Sequence, residues 1–206
     1  MKGTPPRGED AAGNRFTPSF TIKRGRRYRY YVSQPAIKNT ASQSNGPTRV
    51  PGHELEERVI DKVLAFLKSD ADIFDGLSAE EESPAIIGNL VAAAKKLAAR
   101  LPSLPADDLR DLLAAFLQRI IIQETSIQVM ISRKELRQLL ENGDKVIAGN
   151  LFGARKPVDE NDLISLTVEA KRKRCGGEIH LGVPAALPSS FDLMKRGALS
   201  YCIEGL

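Results

Sequence analysis

The block Lys23-Arg24-Gly25-Arg26-Arg27-Tyr28-Arg29-Tyr30-Tyr31 combines residue types and spacing that can do chemistry. In a strand, side chains alternate, so Arg27, Arg29 and Tyr31 share one face while Arg26, Tyr28, Tyr30 and Val32 share the other. Positions two apart on a face stand about 6.6 to 6.8 Å apart. Two guanidiniums at that spacing reach neighbouring phosphates of a duplex, and tyrosine hydroxyls can bond backbone oxygens. A plainer reading has Tyr28 and Tyr30 filling a small core under a solvated arginine face, and the two can hold together. The candidate DNA contacts are therefore Lys23, Arg24, Arg26, Arg27, Tyr28, Arg29 and Tyr31. A second basic run at an expected turn, Lys171-Arg172-Lys173-Arg174, is either a further backbone contact or a solvated turn.

Other chemistries find little support. Tetrahedral zinc needs four thiolate, imidazole or carboxylate ligands, and Cys175, Cys202, His53 and His180 fit no zinc signature. The acidic stretch Asp70 to Glu82 lacks the alternating oxygen ligands of an EF-hand and reads as a solvated loop. Two histidines in bland settings give no Ser/His/Asp constellation, and no glycine-rich phosphate loop is present. No catalytic residue, metal or cofactor is expected.

The elements that must position the basic block follow from composition and periodicity. The chain has 206 residues, 42% of them apolar and 27% charged, enough for one compact domain or two small ones. Residues 1 to 50 hold ten Lys or Arg against two acids, a net of +8; residues 51 to 170 sum to −7 and residues 171 to 206 to +3. A basic head on an acidic middle suggests a polyanion partner, here duplex DNA. No apolar run is long enough for a membrane span or a signal peptide, and two cysteines fit a reducing compartment, so a cytoplasmic protein with no membrane partner is expected.

Residues 1–12 read as a mobile N-terminus. Across 13–50, Arg24-Gly25 breaks a β-rich run into a hairpin, Ser19 to Lys23 against Arg27 to Ser33, followed by a polar linker, 38–52, and a domain boundary. Across 51–118, apolar residues at helical spacing give helices from about His53 to Lys68, from Pro84 to Leu101 and from Pro105 to Leu117. Ile87, Val91, Ala94, Ala98 and Leu101 form a stripe suited to a helical hairpin. Across 119–183, strands are expected at Arg119 to Gln123, Ile127 to Ile131, Asp162 to Ala170 and Glu178 to Val183, with a short helix from Arg133 to Leu140. Residues 184–206 are unassigned. The fold class is α+β, with a small β-ribbon-like hairpin head, a helical hairpin and a mixed β segment.

Gly13-Asn14-Arg15-Phe16-Thr17-Pro18-Ser19 followed by Arg26-Arg27-Tyr28-Arg29-Tyr30-Tyr31-Val32-Ser33 resembles the recombinase zinc β-ribbon of bacterial serine site-specific recombinases, the resolvase/invertase superfamily. The resemblance extends through Val50 to Glu56, the strands at Arg119 to Ile122 and Ile127 to Ile131, and Leu166 to Val183. It implies DNA binding by the C-terminal portion of such a recombinase. The family's cysteine ligands are absent: no CxxC pair precedes Gly13, and Ser33 stands where a further cysteine is usual. The zinc ribbon is thus expected to be degenerate. The family's catalytic Y-x-R-x-S pattern is not matched by Arg29, Tyr31 and Ser33, whose order is reversed. The expectation is a truncated or fragment protein without the catalytic domain, nucleoid-associated, partnered by DNA and by a full-length recombinase or a second copy of itself. The rival readings are an interaction module that pairs with a full-length recombinase through the helical stripe and, more weakly, an enzyme of another kind.

Overall fold

The structure, a computed structural model, describes residues 7–38, 49–78, 82–143, 159–175 and 178–182. It is α+β. The first sheet holds β2 (Phe16–Lys23), β3 (Arg26–Ser33) and β4 (Arg49–Pro51), antiparallel in the order β2-β3-β4. Arg24 and Gly25 both take positive φ, 52° and 74°, the geometry of a two-residue type I′ turn whose twist matches that of the strands it joins. A single helical turn, α1 (Gln34–Ile37), follows β3. The second sheet is β1 (Arg7–Asp10), β5 (Leu117–Ile122), β6 (Ser126–Ser132) and β7 (Leu163–Glu169), in the order β1-β5-β6-β7, with β1 parallel to β5. A separate hairpin pairs β8 (Lys171–Cys175) with β9 (Glu178–Gly182).

Five longer helices supply most of the core: α2 (Gly52–Lys68), α3 (Asp70–Leu77), α4 (Pro84–Arg100), α5 (Ala106–Phe116) and α6 (Arg133–Asn142). Each buries one apolar stripe. On α2 this is Leu55, Val59, Ile60, Val63, Leu64 and Leu67, which share one buried cluster with the alternate residues Ile127, Val129 and Ile131 of β6. Phe16, Tyr31 and Val50 belong to the same cluster, so the head shares its core with the helices across the boundary expected near residue 50. No helix among the described residues is long and apolar enough to cross a membrane.

Four expectations need correction. Residues 7–10, read as part of a mobile end, form β1. Their RGED sequence has no apolar period, and they are held from outside by the parallel ladder to β5. Behind them the buried Asp10 carboxylate accepts from the backbone N–H of Ala12 at 2.9 Å and Asn14 at 2.8 Å, and from Asn14 Nδ2 at 2.9 Å. The acidic loop is largely the helix α3. Ser69 caps it by accepting from Asp72 N, Asp70 and Asp72 sit where the helix dipole favours negative charge, and Ile73 and Leu77 are buried one turn apart. Beyond it Glu82 is paired through two oxygens with Arg137, which also donates to the Leu77 carbonyl at 3.1 Å; this carboxylate holds the guanidinium pKa above its ordinary value. Arg49 to Pro51, read as linker, is β4, and the run Lys171 to Arg174, read as a turn, lies in β8. Val183 and 184–206 lie outside the described residues, as do 1–6 and most of the linker, 39–48.

If β1 is structural, deleting residues 1–11 uncovers the Arg119 to Ile122 edge and removes the Asp10 hydrogen bonds. At roughly 1 kcal/mol net for each hydrogen bond removed, the truncated protein should be less stable by at least about 2 kcal/mol. Urea denaturation measures this; an unchanged midpoint would show that the segment contributes nothing.

Candidate nucleic-acid interface

Register fixes which hairpin residues are neighbours. Phe16 pairs with Ser33, Pro18 with Tyr31, Phe20 with Arg29 and Ile22 with Arg27, so these eight share one face, while Thr21 pairs with Tyr28 and Ser19 with Tyr30 on the other. The common face of Arg27, Arg29 and Tyr31 is as the alternation implies. What covers it changes halfway along the strand.

At the base of the hairpin this face lies on α2. Arg29 Nη2 bonds both carboxylate oxygens of Glu56, at 2.7 and 2.8 Å, and the Tyr31 hydroxyl donates to Glu56 Oε1 at 2.9 Å. Glu56 is 1% exposed and Tyr31 fully buried. Gly52 makes the close approach possible, since a Cβ there would stand 3.1 Å from Arg29 Nε and 3.3 Å from its carbonyl oxygen. Tyr31 and Arg29 therefore leave the list of candidate DNA contacts. Tyr31 is inaccessible, and the Arg29 charge is already neutralised by a buried carboxylate.

The outer half differs. β4 pairs only with Tyr30 to Val32, so the residues from Phe20 to Arg29 form a two-stranded ribbon projecting beyond the third strand. Arg24, Arg26 and Arg27 are exposed there, with Phe20, Ile22 and Tyr28 at 47%, 76% and 41% exposure. The Arg27 guanidinium stacks over the Phe20 ring at 3.6 Å, which orders it without neutralising it. Arg24 and Arg26 have no ion pair among the described residues. On the other face Arg49 lies 3.7 Å over the Tyr30 ring and donates from Nη2 to Thr21 Oγ1 at 2.8 Å, bracing the ribbon where it leaves β4. Sequence reasoning missed Arg49, because a three-residue strand inside a polar stretch carries no periodicity.

The backbone of Lys23 pairs with Arg26, and those of Lys171, Arg172, Lys173 and Arg174 run along β8; the side chains of all five lie outside the described ones. β9 lies against β4 and α2, so the second basic run belongs to an element on the β4 side of the first sheet rather than to the ribbon itself. Ser33 is fully buried, with no hydrogen-bond partner for its Oγ among the described residues, a poor setting for a nucleophile. His53 is half exposed beside Glu54, and no group of three or more His, Cys, Asp or Glu able to hold a metal occurs among the described residues. Compared with family models, with curated proteins and with solved structures, the chain matches none.

The buried anchor makes a stability prediction. Changing Glu56→Ala removes the buried carboxylate to which the Tyr31 hydroxyl and the partly buried Arg29 both donate, and the loss should be about 2 to 4 kcal/mol, the range of a lost buried hydrogen bond to a charge and of a broken buried ion pair. Arg26→Ala, on the exposed ribbon, should stay within about 0.5 kcal/mol. Urea unfolding of both variants checks this, and equal midpoints would remove the anchoring role of Glu56.

Proposed function

We propose that this protein binds duplex DNA through the projecting end of its first hairpin, as the DNA-binding C-terminal portion of a bacterial serine site-specific recombinase. The observation that carries the first half is the ribbon. Arg24, Arg26 and Arg27 lie exposed on a two-stranded element whose base is locked to α2. A two-stranded ribbon fits the major groove, about 12 Å wide, while guanidiniums along its rims reach phosphates. Phosphate contacts of this kind carry no sequence information, so affinity should be weak and strongly salt-dependent.

The second half rests on the Arg26 to Ser33 block and the segments that accompany it. In that reading the chain acts by binding, on the nucleoid, and strand cleavage belongs to other parts of the recombinase system; a full-length recombinase or a second copy is the protein partner. The alternative, an interaction module built on the α4 stripe, is weakened by what the stripe touches: Ala94, Ala98 and Leu101 are buried in the chain's own core. A resolvase-type reading frame directly upstream in the source genome supports the recombinase context, and an unrelated one counts against it.

The DNA contact is tested by fluorescence anisotropy on a random duplex over a salt series. The triple change Arg24→Ala, Arg26→Ala, Arg27→Ala should weaken binding at low salt and make the slope of log affinity against log salt shallower by about 2.7, at about 0.9 for each phosphate no longer neutralised. A control that removes the same charge from helices, Lys68→Ala, Lys95→Ala, Lys96→Ala, should leave the slope nearly unchanged. Equal effects of the two triples, or no binding by the unaltered protein at low salt, sink the proposal.

A further inference from the structure

A cleft of about 350 Å³ opens to solvent between α2, α3, the start of α6 and β7, at the small end of the range of small-ligand sites. Its floor includes Phe66 and Ile164, and Gly76 keeps α3 close to both, since a Cβ there would stand 3.2 Å from each. Arg133, the first residue of α6, lines it, and its Nε is buried with no hydrogen-bond partner among the described residues. Buried donors are nearly always paired, so this one calls for an acceptor. Lys62 of α2 lines the same cleft, and Ser165 and Thr167, two residues apart on an exposed face of β7, add two hydroxyls.

The acids in the cleft decide the class of ligand. Elsewhere several opposite charges close on one another, as Arg29 on Glu56, Lys95 on Asp70 and Arg110 on Asp107. Asp72 and Asp75 of α3 share the cleft with Lys62 and Arg133, yet none of the four is in an ion pair among the described residues. Two cations and two carboxylates sum to zero, which disfavours a polyanion such as DNA and suits a molecule carrying one charge of each sign. We propose that this cleft binds a small zwitterion with an apolar body, of the kind represented by a free aliphatic amino acid. Arg133 and Lys62 receive its carboxylate, Asp72 and Asp75 its ammonium group, and Phe66 and Ile164 the chain between them.

Titration of the isotope-labelled full chain with L-leucine, followed by amide chemical shifts, tests this without any alteration of the protein. Leucine should shift the Ser165 and Thr167 amides saturably. Leucinamide, which lacks the carboxylate, and 4-methylpentanoate, which lacks the ammonium group, should each bind about tenfold more weakly or worse, since each forfeits a set of charge-assisted hydrogen bonds. Arg133→Gln should weaken leucine binding by a similar factor and leave DNA affinity unchanged, because the hairpin is untouched. Absence of saturable shifts with leucine, or equal binding of 4-methylpentanoate and leucine, overturns the proposal. Leucine binding left undiminished by Arg133→Gln also overturns it, whereas loss of DNA affinity in that variant would count against the hairpin reading alone.

Discussion

The hairpin's position depends on a carboxylate placed where a helix should be apolar. Glu56 lies among Gly52, Leu55, Val59, Ile60 and Val63 on the buried stripe of α2. A lone carboxylate there would be several kcal/mol unfavourable, about what is needed to force it out or protonate it. It stays because Arg29 offers a paired guanidinium and Tyr31 a hydroxyl, both from the same face of β3, two residues apart. That three-residue contact is specific in a way a purely apolar junction is not, because sliding β3 by one residue would move both donors to the opposite face and strand the acid. It thereby sets the register at which the sheet of β2, β3 and β4 meets the helices, and so the direction in which the rest of the hairpin points.

Much of the fold was legible because its signals are local. The Arg24-Gly25 turn between β-rich runs, the apolar periods of α2, α4 and α5, and the alternation in β7 all lie within windows of a few turns or strand lengths. The elements that were not legible lack such signals. β1 is a strand only because Ile120 to Ile122, more than a hundred residues on, offer a free edge. α3 carries so much charge that its two large buried side chains, Ile73 and Leu77, do not stand out, and β4 is too short to show any period.

The site divides in the same way. That Arg27 and Arg29 share a face is a property of one strand, and it holds. That one of them is exposed and the other consumed depends on Glu56, a residue of another element. A signal for it did exist, since an acid interrupting the apolar stripe of α2 demands a buried cation or hydroxyl donor, and the nearest dense source of both is the Arg26 to Tyr31 block. Reading the arginines as a set hid this, because residues of one type were given one role.

The outer ribbon is costly to maintain, and how it is maintained bears on its use. Two strands without a third are marginally stable in water, and here they expose Phe20 and Ile22 as well. Cross-strand contacts offset part of this: Arg27 lies on Phe20, Ile22 faces Arg27 in register, and Arg49 braces Tyr30 and Thr21 at the root. At the tip Arg24 adopts φ of 52°, a left-handed conformation that an arginine takes at a cost of about 1 to 2 kcal/mol and that Asn or Gly would take more easily. A charged side chain held at the tip against backbone preference, on a ribbon stiffened at its root and bare along its sides, is poorly explained by stability. The DNA contact proposed for the ribbon would account for it, since a groove lined with phosphates is deep enough to require the reach and charged enough to favour the arginine.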